Sequence, residues 1–346
     1  MGVELGSLVP LEEVDLEDLR GKTLAVDASS IIHQFLALVR YPTGVPLMDK
    51  EGHITSSLAG LFYRSTKLIY KHGIELIFVF DGKPPPIKFS WLTDEERQKR
   101  RQRFEKSLQE WRDALDRGDI RTAFSKAVTT GMIDSDIIND AKRLLHLLGI
   151  PTVQAPGEAE AQASYIAKKG RAWAVNSRDF DSLLFGAPRM ARYVSIAGVY
   201  RGIGMPSRPQ IIDLKKTLQH LGITHAQLID AAILMGTDYN RGLKGIGPRN
   251  ALSLVKRFGC LEEMPADIAL RLPNNVDEIR RNFKEPLVDK DYALISGEFD
   301  PEGVVHFLCT ERGFRERSVR ATLERMARSA ARGRQATLDM WAHVTS

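Results

Sequence analysis

Residues 73–82, GIELIFVFDG, contain an unbroken apolar run from Leu76 to Phe80 that ends at Asp81. Strands buried on both faces have such unbroken runs of Val, Ile, Leu and Phe, whereas half-solvated strands alternate with polar residues. Three other runs end in acids in the same way, namely KTLAVDAS (22–29), GIPTVQAPGEAE (149–160) and RAWAVNSRDFD (171–181). Helical patterns at 54–73 and 136–149 separate these runs. The alternation predicts an α/β fold with a mostly parallel sheet flanked by helices.

Acids follow every predicted strand, and the carboxyl ends of parallel strands are where sites form in such sheets. The acids of interest are Asp27, Asp81, Glu158, Glu160, Asp179, Asp181 and, in LMGTDYN, Asp238. Each acid taken alone is equally well explained as a helix cap or a surface charge, and Asp27 precedes a cap-like Ala-Ser-Ser. Five separate acidic element ends in one chain are harder to explain in that way.

A carboxylate cluster of this size repels itself unless cations neutralise it. Donor sets made only of oxygen favour hard cations such as Mg²⁺ or Mn²⁺. Two such ions about 4 Å apart form the clamp used for in-line attack of water on a phosphodiester. The acids therefore predict a two-metal hydrolytic site.

Composition narrows the function classes. The chain has 346 residues, 43% hydrophobic and 27% charged, and none of its apolar runs approaches the roughly 20 residues of a membrane span. Its two cysteines, Cys260 and Cys309, suggest no disulfide framework and predict a reducing, intracellular setting. The chain has a net charge of +5, and its Lys and Arg residues are concentrated at 97–126 and 312–334. Basic flanks around an acidic centre suit a protein that holds a polyanion.

Two further segments suggest how a polyanion is held. Residues 88–135 interrupt the strand–helix alternation with a long, charged, helix-forming insertion, in which 88–126 carries eleven Lys or Arg against eight acids. It suits a funnel for a single strand, or equally a solubilised helical hairpin. A glycine-rich turn, GLKGIGPRNA (242–251), opens a helix, where backbone amides can approach a phosphate closely. Lys244 and Arg249 add charge, and such backbone contacts fix register without reading sequence.

Together these blocks resemble the flap endonucleases, the structure-specific nucleases of replication and repair, and especially their archaeal branch. The matching blocks are AVDAS (25–29), FVFDGKPP (78–85), APGEAEAQA (155–163), SRDFDSLLFG (177–186) and GTDYNRGLKGIGP (236–248). The resemblance covers about residues 1–341. It implies a PIN-like, Rossmann-like sheet with an inserted helical arch and a helix–two-turn–helix DNA-binding element.

The resemblance also implies a domain plan and a set of metal ligands. A single nuclease domain would span 1–332, with an N-terminal region (1–87), the arch (88–135), an internal region with DNA-binding helices (136–258) and a C-terminal part (259–332), followed by a clamp-binding tail (333–346). Asp27, Asp81, Glu158 and Glu160 resemble the first-metal ligands. Asp179, Asp181 and Asp238 resemble the second group. The family's potassium ion would sit at the helix–two-turn–helix element.

Other roles follow from the resemblance in the same way. Lys88 resembles the catalytic lysine, and Arg97 resembles the catalytic arginine, with Arg100 and Arg101 left open. The DNA-binding residues it implies are Gly2, His33, Arg40, Arg64, Lys244, Gly245, Gly247 and Arg249. His33 stands where the family usually has a stacking Tyr, so it either stacks on a base or is a buried structural histidine. Gln335, Leu338 and Trp341 resemble the sliding-clamp motif, although Ala342 replaces its second aromatic residue.

The sequence thus predicts a Mg²⁺-dependent 5′-flap endonuclease with 5′–3′ exonuclease activity, in which Mn²⁺ can substitute, acting in Okazaki fragment processing and base excision repair. Its expected partners are branched DNA with a 5′ flap and a sliding clamp. We expect a monomer that needs no membrane and is intracellular, in the cytoplasm or nucleoid of a prokaryote or the nucleus of a eukaryote.

Three rival interpretations remain at this stage. The arch and the Gly-Ile-Gly-Pro turn argue against a PIN-type ribonuclease. A cleavage assay that includes a four-way junction substrate would exclude a Holliday-junction resolvase. A non-catalytic DNA-binding clamp adaptor is disfavoured because seven acids near phosphates would weaken binding.

Overall fold

The centre of the molecule is a seven-stranded sheet. The computed structural model describes residues 3–39, 41, 46–119, 122, 135–197 and 208–329. The strands are β1 (Glu12–Glu13), β2 (Thr23–Asp27), β3 (Glu75–Phe80), β4 (Thr152–Gln154), β5 (Ala174–Asn176), β6 (Arg189–Arg192) and β7 (Gln210–Asp213). Their order across the sheet is β1-β7-β6-β5-β2-β3-β4.

Five neighbouring strands, β6-β5-β2-β3-β4, run parallel to one another. β7 pairs antiparallel with β6 and with β1, and so closes one side of the sheet. The prediction of a mostly parallel sheet is confirmed. Because the five central strands point the same way, their carboxyl ends lie along one edge, and the predicted acids follow that edge.

The two faces of β3 show why its apolar run is unbroken. Leu76, Phe78 and Phe80 belong to one core cluster, whereas Ile77 and Val79 belong to a second cluster on the opposite face. All five side chains are almost fully buried. Side chains alternate between the faces of a strand, so a strand covered on both sides needs apolar residues at every position.

Helices cover both faces of the sheet. They are α1 (Ala28–Leu38), α2 (Ser56–Gly60), α3 (Thr66–His72), α4 (Asp94–Asp116), α5 (Ser135–Leu147), α6 (Ala159–Lys168), α7 (Asp181–Leu184), α8 (Leu214–Leu221), α9 (His225–Met235), α10 (Pro248–Phe258), α11 (Ala266–Ala269), α12 (Val276–Lys284), α13 (Pro301–Val305) and α14 (316–329). Small residues of α6 pack on β2 and β3, and α7, α9, α10 and α12 build a separate core beside the sheet. Among the described residues, no helix combines the length and the apolar content that crossing a bilayer requires.

Two predicted segments differ in detail. The helical pattern at 54–73 forms α2 and α3 joined by a π-helical turn, Leu61–Ser65. The Thr66 hydroxyl donates to the Phe62 carbonyl at 2.6 Å in this turn, and such side-chain bonding perturbs the regular ladder. The segment FDPEGVVHFLC (299–309), whose sequence favours either a short strand or the start of a helix, begins α13, where Asp300 accepts from the Gly303 N–H at 2.9 Å.

The predicted arch contains α4. Thr93 caps this helix: its backbone N–H donates to Glu96 Oε2 at 2.9 Å, and its hydroxyl accepts from the Glu96 N–H at 3.2 Å. The first turn carries Asp94, Glu95 and Glu96, which complement the positive end of the helix dipole. Most of 120–134 lies outside the described residues, as does the predicted tail, so the proposed domain plan stays a prediction.

Candidate active site

All seven predicted acids line one cavity of about 750 Å³ at the carboxyl edge of the sheet. They are Asp27, Asp81, Glu158, Glu160, Asp179, Asp181 and Asp238. The side chains come from four different strand ends and from the segment after α9. The structure therefore brings together residues that lie up to 211 positions apart in the chain.

Asp27 and Asp81 are held by the starts of two helices. Asp27 ends β2, and its Oδ1 accepts from the Ser30 N–H at 3.1 Å, which caps α1. Asp81 follows β3, and its Oδ1 accepts from the Ala159 N–H at 2.8 Å in the first turn of α6. The cap and the cavity position thus coexist for both acids, because a carboxylate has two oxygens and the cap uses one of them.

The two glutamates are oriented by hydroxyl groups. Glu160 Oε1 accepts from the Ser177 hydroxyl at 2.5 Å and from the Ser182 hydroxyl at 3.2 Å. Glu158 accepts from the Tyr239 hydroxyl with Oε2 and from the Lys88 ammonium with Oε1. Tyr239 is itself fixed, since it is 1% exposed and its ring packs edge-on against Phe283 at 5.1 Å.

Asp181 and Asp238 are tied to other segments. Asp181 begins α7, and its Oδ1 accepts from the Val3 N–H at 3.1 Å, so the N-terminal segment runs beside the cavity. The carbonyl of Asp238 accepts from the Phe89 N–H at 3.0 Å and the Trp91 Nε1–H at 3.2 Å. These bonds join the segment after α9 to the base of the predicted arch.

Burial and mutual repulsion disfavour ionisation of three acids in the cavity. Burial, then repulsion from Asp81, raises the pKa of Asp27 to about 7. Burial is also the first cause that raises the pKa of Asp181 to about 7. Burial, followed by repulsion from Asp27 and Asp181, raises the pKa of Glu160 well above its ordinary value. The seven carboxylates together form an all-oxygen donor set that fits hard divalent cations, which neutralise the charge and accept oxygen ligands.

Among the described residues, Lys88 forms ion pairs with these acids. Its Nζ pairs with Glu158 and lies 3.2 Å from Asp238 Oδ2. Burial alone would lower the pKa of Lys88, but the contacts with Glu158 and Asp238 raise it above its ordinary value. Lys88 therefore stays charged at the cavity wall.

The predicted catalytic arginines lie next door. Arg97 and Arg101 line an adjoining cavity of about 590 Å³ that shares Lys88 with the acid-lined one. Arg97 Nη2 donates to the Ser90 carbonyl at 2.8 Å, and Arg101 pairs with Glu105 at 2.8 Å. The side chain of Arg100 lies outside the described residues, so the choice among the three arginines stays a prediction.

The predicted DNA contacts outside the glycine-rich turn divide into three groups. His33 is exposed on the wall of the acid-lined cavity, so it is not a buried structural histidine. Arg64 donates to the Ser195 and Ala197 carbonyls at 2.8 and 3.0 Å, a structural contact that the sequence does not predict. Gly2 and Arg40 lie outside the described residues, as do Gln335, Leu338 and Trp341 of the predicted tail.

The glycine-rich turn begins with a close backbone crossing. A Cβ at Gly242 would lie 1.9 Å from the Met235 carbonyl oxygen, and Gly236 has a φ of +105°. Only glycine fits both demands, since one position needs the absence of a side chain and the other a left-handed backbone. The crossing fixes the turn against the end of α9, beside Asp238.

The tip of the turn presents backbone and positive charge to solvent. Gly245 has a φ of +87° with open space around it, and exposed Gly247 precedes Pro248 at the start of α10. Lys244 and Arg249 are both exposed, and Arg271 holds the turn by donating to the Lys244 carbonyl at 2.7 Å. The turn thus leaves backbone and positive charge accessible to a phosphate, and its contact with DNA stays a prediction.

Known proteins share both the sequence blocks and this architecture. The XPG N-terminal domain matches residues 4–106, and the XPG I-region matches residues 149–238. Flap endonuclease 1 of Methanothermobacter thermautotrophicus is 44% identical over 341 residues, which covers 99% of this chain and 100% of the relative. The chain belongs to the flap endonuclease family.

Two further comparisons agree. Flap endonuclease 1 of Pyrococcus furiosus is 42% identical over 346 residues, covering 99% of each protein. The solved structure of flap endonuclease-1 from Methanococcus jannaschii superposes with a TM-score of 0.75 at 34% identity, over 96% of this chain and 100% of that one. The predicted PIN-like fold is confirmed. Membership of the family makes the chain a nuclease, and nucleases of this family use divalent metal ions.

Several residues of the site were not predicted. Ser177, Ser182 and Tyr239 orient the glutamates, and Arg178 and Arg192 line the cavity. The signal for the three hydroxyl groups was present, because they lie inside the acidic blocks NSRDFDS and TDYN. The sequence contains no such signal for Arg192, because this residue ends a short strand, β6, that the apolar pattern does not reveal.

A second group of potential ligands lies elsewhere. Asp49, Glu51 and His53 place ligand-type atoms within 4.8 Å of one another. Asp49 Oδ1 accepts from the backbone N–H groups of Glu51 and His53 at 3.0 and 2.8 Å, and Oδ2 contacts His53 Nδ1 at 2.9 Å. These bonds close a turn, so the grouping is explained without an ion.

Proposed function

We propose that the chain is a structure-specific 5′-flap endonuclease with 5′–3′ exonuclease activity, which hydrolyses DNA phosphodiesters with two divalent metal ions. The supporting observation is the convergence of seven carboxylates and Lys88 on one cavity, in a chain whose full-length relatives are named flap endonuclease 1. Such an enzyme would serve Okazaki fragment processing and base excision repair.

The donor set fits Mg²⁺, with Mn²⁺ able to substitute, because all seven ligands are carboxylates. Asp27, Asp81, Glu158 and Glu160 would hold one ion, and Asp179, Asp181 and Asp238 would hold the other. When bound, the two ions activate the attacking water and stabilise the leaving oxygen.

The chain's own residues prepare this site. Hydrogen bonds from backbone N–H groups and serines fix Asp81, Asp181 and Glu160 before any ion binds. Fixed ligands lower the reorganisation that binding would otherwise require. Lys88 contributes a positive charge that can bind a phosphate oxygen and stabilise the charge that develops in the transition state.

DNA would be gripped away from the acids. The exposed turn with Gly245, Gly247, Lys244 and Arg249 suits the backbone of a duplex and, by family resemblance, a K⁺ ion. Contacts of this kind carry no base information, so recognition would rest on the shape of a junction with a 5′ flap.

The deciding experiment is cleavage of a labelled double-flap duplex with Mg²⁺, compared with the same reaction in chelator. We expect cuts at the flap junction with Mg²⁺ and none in chelator. The panel should include a four-way DNA junction and a single-stranded RNA of the same length. Preferential cutting of either one would reject the flap assignment in favour of a resolvase or a ribonuclease.

We also propose that the C-terminal segment binds a sliding clamp through Gln335, Leu338 and Trp341. Leu338 and Trp341 are three residues apart and would share one face of a short helical turn. Truncating an aromatic anchor typically costs about 2 kcal/mol, a roughly thirty-fold loss of affinity.

Trp341→Ala should therefore bind the cognate clamp about thirty-fold more weakly in calorimetry while cutting flaps at the wild-type rate without clamp. Equal clamp affinity for the two proteins would show that the tail is not the anchor. A slower clamp-free rate would instead show that the tail serves the active site.

A further inference from the structure

Each of two cations on the wall of the acid-lined cavity is followed in the chain by a residue with an unusual backbone conformation. Among the described residues, the non-glycine residues with positive φ are Phe89 (60°) and Tyr193 (61°). Phe89 directly follows Lys88, and Tyr193 directly follows Arg192; both cations line the cavity. Left-handed backbone is uncommon outside glycine, and where it persists it often marks a functional site.

In both cases the unusual residue supports the cation with its ring. Lys88 Nζ lies 5.8 Å from the centre of the Phe89 ring. The Arg192 guanidinium lies 4.9 Å from the Tyr193 ring and 4.5 Å from the Phe180 ring. Two rings and a hydrogen bond from Nη2 to Tyr193 Oη at 3.2 Å therefore hold the Arg192 fork in one place.

The guanidinium still has unused donor capacity. Its Nε is buried and has no hydrogen-bond partner among the described residues. Over the same part of the chain, Arg192 forms no ion pair within 4.0 Å, although the cavity contains seven acids. The side chain is only partly buried, and an arginine fork with spare N–H groups can donate two parallel hydrogen bonds to a phosphate.

The strand order separates the elements that hold Arg192 and Lys88. Arg192 ends β6, whereas Lys88 pairs with Glu158, which follows β4, and four strand spacings separate β6 from β4. At about 4.8 Å per spacing, the two strands lie roughly 19 Å apart. The two cations are therefore held by different parts of the sheet edge, which favours contacts with different phosphates.

We propose that Arg192, assisted by Arg178, binds a second backbone phosphate of the strand being cut, one that is not hydrolysed. Arg178 is exposed at the same cavity and directly precedes Asp179, so it adds charge beside Arg192. Lys88 would act on the phosphate that reacts, while the β6 side of the cavity holds the strand in register on the acids. This assignment rests on the proposed function.

The first test compares replacements at Arg192. Arg192→Met keeps much of the packing between the rings but removes the charge, and Arg192→Lys keeps the charge but loses the fork. We expect kcat/KM for flap cleavage to fall about tenfold or more in Arg192→Met and less in Arg192→Lys, because a charged hydrogen bond to phosphate is lost in the first case only. A purely structural role predicts the opposite order, so Met equal to or better than Lys would overturn the proposal.

Arg189 supplies a matched control. It lies on the same strand, stacks over Trp173 at 5.2 Å and is 3.5 Å from Asp213, but it does not line the acid cavity. Arg189→Met should leave kcat/KM near the wild-type value. An equal loss in the two methionine variants would mean that β6 is needed only for folding.

The second test identifies the phosphate. Single linkages of the cut strand are replaced one at a time by uncharged methylphosphonates, and the wild type is compared with Arg192→Met. At one non-scissile position, the neutral linkage should slow the wild type but cause no additional loss in Arg192→Met, since both changes remove the same contact. Additive losses at every position would overturn the assignment.

These outcomes are separable from those of the proposed function. If the wild type fails to cut flaps, the proposed function itself is wrong. If the wild type cuts flaps and the losses are additive throughout, only the role of Arg192 is wrong.

Discussion

The acid-lined cavity and the glycine-rich turn are neighbours in the chain but opposites in chemistry. Asp238 lines the cavity, and four residues later the turn begins at Gly242. The cavity is lined by seven carboxylates, and burial resists the ionisation of Asp27 and Asp181, whereas Gly245 and Gly247 at the tip of the turn are exposed beside Lys244 and Arg249. The contrast indicates that cleavage and grip are separate tasks, so each should fail without the other.

The largest expected effect comes from removing one carboxylate from the cavity. Asp181→Asn keeps the size of the side chain and an acceptor for the Val3 N–H, but it removes one anionic ligand. We expect single-turnover flap cleavage to fall by about 100-fold or more, because even indirect partners of metal ligands are worth 10–100-fold. Flap affinity in the absence of cleavage should change little, as measured by fluorescence anisotropy.

Asp49→Asn is the control for this change. Asp49 belongs to the Asp49–Glu51–His53 turn, which we explain by hydrogen bonds rather than by an ion. Its cleavage rate should equal that of the wild type. A correctly folded Asp181→Asn protein that cuts at nearly the wild-type rate in saturating Mg²⁺ would disprove the two-metal assignment.

A smaller effect should follow from changing the turn. Lys244→Gln combined with Arg249→Gln should reduce the slope of log affinity against log salt by about one to two units, since two phosphate contacts are lost. The cleavage rate at saturating DNA should be unchanged.

Lys256 and Arg257 are exposed cations at the other end of the same helix, α10, and provide a matched double variant. That variant should keep the wild-type slope. A flat salt dependence in the wild type would remove the case for phosphate-dominated binding altogether.

The sequence predicts those features of the two regions whose residues lie close together in the chain. The parallel strands and their terminal acids are visible because β3 is apolar from Leu76 to Phe80 and each run ends in a carboxylate. The turn is visible because Gly236 and Gly242 satisfy backbone demands that only glycine meets. In both cases the relevant residues are close together in the chain.

What the sequence does not predict depends on distant contacts. Whether Asp27 caps a helix or faces the cavity cannot be decided from its neighbours, and the structure shows that it does both. The contact between Tyr239 and Glu158 spans 81 positions, and that between Val3 and Asp181 spans 178. Arg192 is placed by the pairing of a four-residue strand, which is too short for periodicity to reveal.

The smallest expected effect concerns stability, and it tests whether the cavity is destabilised by its own charge. Burial raises the pKa of Asp181 from an ordinary 3.8 to about 7, so between these values the folded protein binds a proton that the unfolded chain has released. The contribution of Asp181 to stability therefore falls as pH rises from about 4 to 7.

Asp181→Asn has no such penalty. Without metal, its melting temperature should exceed that of the wild type by about 3 °C or more at pH 8, and the gap should close toward pH 5. Asp49→Asn should behave in the opposite way: burial would raise the pKa of Asp49, but hydrogen bonds from His53 and Glu51 lower it, so its carboxylate stabilises the fold above pH 4. Scanning calorimetry of both variants and the wild type across this range checks the signs.

Mg²⁺ should raise the wild-type melting temperature more at pH 8 than at pH 5.5, because binding requires ionised carboxylates. Equal shifts at the two pH values would show that the cavity acids are already ionised at pH 5.5, and the contrast between cavity and turn would then lie in geometry rather than in charge.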